Sequence, residues 1–156
     1  MFEGIVSNDL TLFIHYFVKE RKWFSYEYLN DRIENMKLCG QEVRDKPAAV
    51  NVGTGKVSGS AVQMWVFTRL IPLLVGTKIV DTSDPVWGLV VLLREIVELV
   101  CAVNVTAEIV ALMADKIEQY LEDRISLFPT KKLKPKHHFI SHYPALTLEC
   151  GPLIRL

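Results

Sequence analysis

The stretch "DTSDPVWGLVVLLREIVELVCAV", residues 81–103, decides the fold class. Asp84 is a residue type that caps helices, and Pro85 follows at the first helical position, where its missing N–H costs nothing. From there Val86, Leu89, Val90, Leu93, Ile96, Val97 and Val100 recur at helical spacing, and Val91 and Leu92 widen the apolar face. The pattern predicts a core helix. Residues 86–103 are the most apolar run of the chain, yet Arg94, Glu95 and Glu98 fall inside it. Charges near the middle of a span are costly in hydrocarbon, so the reading is a buried helix of a soluble protein and not a membrane segment.

Helical signals extend outward on both sides. Phe2, Val6, Leu10, Phe13 and Phe17 place a first amphipathic helix over about residues 3–19, closed by the positive "KERK" at 19–22. Ser25 can cap a second helix with Leu29, Ile33 and Met36 on one stripe. Residues 37–59 carry four glycines and no periodicity, which predicts a long loop. A third helix is expected from near Ser60 through "AVQMWVFTRLIPLLV", kinked or divided at Pro72. Thr106 caps a fifth, with Ile109, Met113, Ile117, Tyr120, Leu121 and Phe128 inward, and Pro129 stops it. The expectation is mainly α: an irregular helical domain of about five to six helices. Residues 1–156 form one domain or fragment, with the loop at about 37–59 and a basic C-terminal segment at about 129–156.

Composition narrows the function classes. A chain of 156 residues, half of them apolar, can bury roughly two-thirds of its unfolded surface. Its 18 basic and 18 acidic side chains balance, so any attraction to nucleic acid must be local. Cys39, Cys101 and Cys150 are odd in number and widely spaced, which argues against a disulfide framework or a zinc knuckle and for a reducing compartment. The first ten residues, "MFEGIVSNDL", lack a basic start followed by an apolar stretch, so no secretory signal is read, and "NVT" at 104–106 is no glycosylation site in an intracellular chain.

Four groups of residues could carry chemistry. "GTGK", 53–56, is like the end of a phosphate-binding glycine loop, but Val50 stands where the first glycine belongs and Val57 where Ser or Thr belongs. Glu108, Asp115, Glu118, Glu122 and Asp123 read as a solvated helix face. His138 and His142 lie four apart, a spacing that could suit a metal, but no metal site is assigned to them. Phe139 replaces the glutamate of a zinc-protease helix, no third ligand is near, and buried structural histidines bonded to backbone are the main alternative. Lys131, Lys132, Lys134 and Lys136, running up to His137, put four cations in six residues with no acid among them. Such a run can neutralise phosphates without reading sequence, and a solvated linker is its alternative. No nucleophile, base and orienting group of a small-molecule enzyme is visible.

Five stretches read together carry a resemblance: "FEGIV" (2–6), "GSAVQMWVFTRLIPLLVG" (59–76), "DPVWGLVVLLREIVELV" (84–100), "VTAEIVALMADKIEQYLED" (105–123) and "LKPKHHFISHYPALTLECGPLIRL" (133–156). In order and spacing the chain resembles the uncharacterised protein family of animal genomes derived from CACTA-like (En/Spm-type) DNA transposases. The likeness is most specific at "LKPKHHF..HYP" with "GPL", and at "GSA.QMW". In that family "EG" follows an Asp-x-x-His signature of an RNase-H-like core, and the histidine region precedes an Arg-Phe-Glu segment that completes the acidic metal site. Neither flank is in this chain.

The resemblance therefore implies a partial copy, the helical insertion of an RNase-H-like transposase without its catalytic segments. Two-metal strand cleavage needs carboxylates holding ions about 4 Å apart. The acids that match family positions here, Glu3 and Asp84, read as a helix residue and a cap. The implied function is a non-catalytic, cofactor-free helical scaffold, nuclear and not secreted. Lys131, Lys132, Lys134, Lys136 and His137, with His138, would guide the DNA backbone. A missing sheet would leave Phe2, Ile5 and Phe13, and Leu153, Ile154 and Leu156, as exposed apolar surface for a protein partner. The alternative is a host-adopted helical module that binds protein or DNA. Two stretches depart from the family: "NVGTGKVSG" matches nothing in it, and "LTLECGPL" replaces a more basic stretch.

Overall fold

Asp84 fixes the start of the long apolar helix. Its Oδ1 accepts the backbone N–H groups of Val86 (2.9 Å) and Trp87 (3.3 Å), donors that the first helical turn cannot satisfy itself. Pro85–Val100 follows as α4, and Val86, Leu89, Val90, Leu93, Ile96, Val97 and Val100 are all buried. The computed structural model describes residues 1–153, without the side chains of Phe2, Glu3, Gln41 and Glu42. Among these residues it is all helical, with α1 at Ser7–His15, α2 at Tyr26–Glu34, α3 at Ala61–Val75, α4, α5 at Ala107–Leu127, α6 at Pro135–Ile140 and α7 at Tyr143–Cys150. No described helix is long and apolar enough to cross a membrane. The chain divides into two compact units, Met1–Trp87 and Gly88–Leu156.

In the first unit, α1 is continued at both ends by wider π-helical turns, Phe2–Val6 and Tyr16–Glu20. The single helix expected over 3–19 is thus three helical pieces in one run. Ile5, Val6, Leu10, Phe13, Ile14 and Phe17 are fully buried along it, as the apolar spacing requires. Lys22, at φ 54°, takes the left-handed conformation that ends the run. Behind it Phe17 stacks on Trp23 (ring centroids 5.5 Å apart) and meets the edge of Trp87 at 6.1 Å. The Ser25 hydroxyl accepts the Tyr28 N–H and starts α2. Ser60 and Gln63 form a reciprocal capping box at the start of α3.

Pro72 does not divide α3; the helix runs through it to Val75. Two carbonyls of the last turn, Leu73 and Leu74, instead accept from the guanidinium of Arg32 on α2, at 3.0 and 3.3 Å. That cross-helix cap holds α2 against α3.

The segment 37–59 is long and irregular, with one short 3-10 turn at Gly40–Val43, but it is pinned. Asn30 grips Val50 from both sides, its Nδ2 donating to the carbonyl (2.8 Å) and its Oδ1 accepting the N–H (2.7 Å). Ser7 donates to the Val57 carbonyl, and Thr11 accepts the Val57 N–H. Val50 and Val57 are buried, so side chains of α1 and α2 satisfy the backbone that a sheet would otherwise have satisfied.

In the second unit, Lys116 of α5 pairs with Glu95 of α4 at 2.6 Å, and α5 lies against α7. The inward stripe of α5 is Val110, Met113, Ile117, Tyr120 and Arg124. Ile109, Leu121 and Phe128, expected inward, are only half-buried.

Candidate nucleic-acid interface

The lysine-rich segment begins where α5 ends. Arg124 continues the buried stripe of that helix, and its Nη1 donates to the Lys131 carbonyl at 3.2 Å while its guanidinium lies over the Phe128 ring at 5.2 Å. A buried cation therefore ties the connection to the end of α5, and Lys131, Lys132, Lys134 and Lys136 are all exposed on it. Leu133 is half-buried between them. Lys134 is extended (φ −81°, ψ 157°), and Pro135 starts α6. Among the described residues no carboxylate pairs with any of the four ammonium groups. From Ile125 to Leu148 the sequence contains no acid at all, so the local charge is positive although the whole chain is neutral.

The histidines separate into two kinds. His137 is fully buried, and its Nδ1 accepts the Lys134 N–H at 3.0 Å, the place a Glu or Gln takes in a capping box. His137 therefore does not stand with the lysines as a phosphate contact. Its expected role is corrected to that of a structural cap, because a fully buried ring cannot reach a phosphate. His138 and His142 are exposed, and their Nε2 atoms face each other at 3.2 Å. Among the described residues no group of three His, Cys, Asp or Glu side chains is placed to hold a metal ion.

The remaining candidates resolve into structural roles. In "NVGTGK" the Gly55 N–H donates to the Asn51 carbonyl at 2.6 Å and the Thr54 N–H to Asn51 Oδ1, closing a tight turn. Gly55 is at φ 69° and lies directly on the Tyr26 ring, which a Cβ would strike. The glycine serves that contact. Asp84 is fully buried, and its Oδ2 accepts from Arg21 (2.6 Å) and from the Tyr16 hydroxyl (3.1 Å). Arg21 Nε in turn donates to the Tyr16 oxygen at 2.6 Å. Burial, then the neighbouring Asp84 carboxylate, raise the Tyr16 pKa above its ordinary value. With its oxygens given to these partners, Asp84 acts as a cap and brace. The side chain of Glu3 lies outside the described residues.

Of the acids read as a solvated face, Glu108, Asp115, Glu118 and Glu122 are exposed and Asp123 is half-buried. A groove of about 400 Å³ between α4 and α5 is lined by Arg94, Glu95, Glu98, Leu99, Leu112 and Lys116. Two cations and two anions cancel there, so it offers no charge preference. Of the apolar residues expected to be exposed, Ile5 and Phe13 are buried and Leu153 is half-buried, while Phe2, Ile154 and Leu156 lie outside the described residues.

Arg124 is the positioning residue that residue patterns could have revealed. It falls on the Met113, Ile117, Tyr120 stripe at helical spacing, where a charge is either an error of phase or a buried tie. No family model, no curated protein and no solved structure matches this chain.

Proposed function

We propose that the chain is a non-catalytic helical scaffold of transposase-derived origin that contacts the backbone of duplex DNA through Lys131, Lys132, Lys134 and Lys136. One observation carries the reading: four exposed lysines fall within six residues, with no carboxylate paired to them among the described residues, on a connection tied by buried Arg124. An extended chain rises roughly 3.3 Å per residue, so the run spans on the order of 10 Å or more, enough to face several phosphates. Contacts of this kind position a protein on DNA and carry no sequence information. Asp84, the described acid at a matching transposase position, is held by Arg21, Tyr16 and the start of α4, which suits a scaffold. Nuclear residence follows from this origin.

The test is equilibrium binding of a mixed-sequence duplex at low salt, with plasmid incubated in magnesium buffer alongside. The expected result is a complex that is lost when the four lysines are replaced by alanine, and plasmid that stays supercoiled. No complex, or a complex indifferent to the replacement, would overturn the DNA reading; nicked plasmid would overturn the non-catalytic one. Tight preference for one duplex over others would favour the second reading, a host-adopted module that uses the same exposed lysines.

A further inference from the structure

The junction between α6 and α7 holds two imidazoles in an arrangement that the DNA-backbone reading does not use. His138 and His142 are both exposed, their Nε2 atoms are 3.2 Å apart, and their ring planes are perpendicular at 88° with centroids 4.8 Å apart. The turn that sets them is tied down locally. Ser141 Oγ donates to the His138 carbonyl at 2.7 Å, the His142 N–H donates to the Phe139 carbonyl at 3.2 Å, and Ile140 between them is fully buried.

Two rings can share a proton head to head, or they can share an ion. A transition-metal dication bonded to each nitrogen at about 2.05 Å would subtend an N–metal–N angle of roughly 100° across a 3.2 Å gap. With the ion on both lone pairs the ring centroids would lie about 5.0 Å apart, whereas a head-on N–H···N pair would set them near 5.5 Å. The observed 4.8 Å is on the convergent side.

We propose that His138 and His142 form a two-histidine chelate for one dication of the copper, nickel and zinc class, with water completing its coordination. Imidazole nitrogen suits these metals, whereas magnesium and calcium favour clustered oxygen ligands. The neighbouring cations Lys134 and Lys136 raise the electrostatic cost of a positive ion. That limits the affinity and confines it to metals that bond strongly to neutral nitrogen. No third protein ligand is assembled among the described residues, so the site is open to solvent.

The experiment titrates copper(II) into the tag-free chain and follows paramagnetic broadening of assigned NMR signals together with calorimetry. The expected result is one equivalent bound. Substoichiometric copper should broaden residues 138–142 first, and affinity should fall at least about tenfold in His138→Ala or in His142→Ala. His15→Gln, in the other compact unit, should leave it unchanged. Broadening that starts at Cys39, Cys150 or the N-terminus, or affinity unaltered in both alanine variants, would overturn the chelate. Duplex binding has no part in this readout, so the two readings fail separately.

Discussion

At the residue scale, Gly88 and Gly55 should respond to alanine in opposite directions. Gly88 sits inside α4, is exposed, has helical φ, and a Cβ there would meet nothing within 4 Å. Gly88→Ala is therefore expected to stabilise the chain by about 0.5–1 kcal/mol in denaturant melts. Gly55→Ala would force a side chain into the left-handed region against Tyr26 and should cost more than about 1 kcal/mol. Asp84→Ala removes a helix cap and leaves the Tyr16 hydroxyl without its acceptor, an expected loss of about 2–3 kcal/mol by the same melts. Asp84 as cap and Pro85 as first helical residue were legible because capping chemistry is local. That the same carboxylate also binds Tyr16 and Arg21 was not, because those partners lie more than sixty positions away in sequence. His137 escaped for a related reason: whether a histidine in a basic run faces water or core depends on the phase of a helix only six residues long.

At the element scale, caps and ties carry more than helix propensity does. Ser60→Ala and Thr106→Ala should each cost about 1 kcal/mol, the ordinary worth of an N-cap, and double replacement should be additive because the caps open separate helices. Arg124→Met should preserve the apolar stripe of α5 but release the Lys131 carbonyl. The expected outcome is weaker duplex binding with all four lysines still present, read against a stability measurement on the same variant. α1 to α5 were legible from apolar spacing and the capping types of Ser25, Ser60 and Thr106, whereas the short α6 and α7 inside the basic segment were not placed. The segment 37–59 was legible only as irregular. Its order comes from Asn30, Ser7 and Thr11, polar side chains of neighbouring helices that reach its backbone, and no periodicity in the segment encodes that.

At the scale of the whole molecule, balanced charge makes pH a test of a few identified groups. Burial raises the pKa of Tyr16, Tyr26 and Tyr143 above 10.0, the value of the unfolded chain. The folded state holds these protons longer, so stability present below about pH 10 should fall as pH climbs through the raised values. Asp81 is lowered from 3.8 by the Ser83 hydroxyl and N–H, and Glu108 is lowered from 4.5, chiefly by the Thr106 hydroxyl. Their contribution is present above those values and is lost as pH falls through the lowered ones. Denaturant melts across pH should therefore show a plateau between about 5 and 10, and Tyr16→Phe should soften the alkaline edge.

The lysines and the absence of acids around them were visible in the sequence, but their shared exposure and the Arg124 tie to the Lys131 carbonyl were not. The most direct measurement is the salt dependence of duplex affinity. Neutralising four phosphates should give a slope of about −3.6 in log affinity against log salt, and the four-alanine variant should show no complex from low salt upward. A native slope near zero, or one the lysines do not set, would contradict the account.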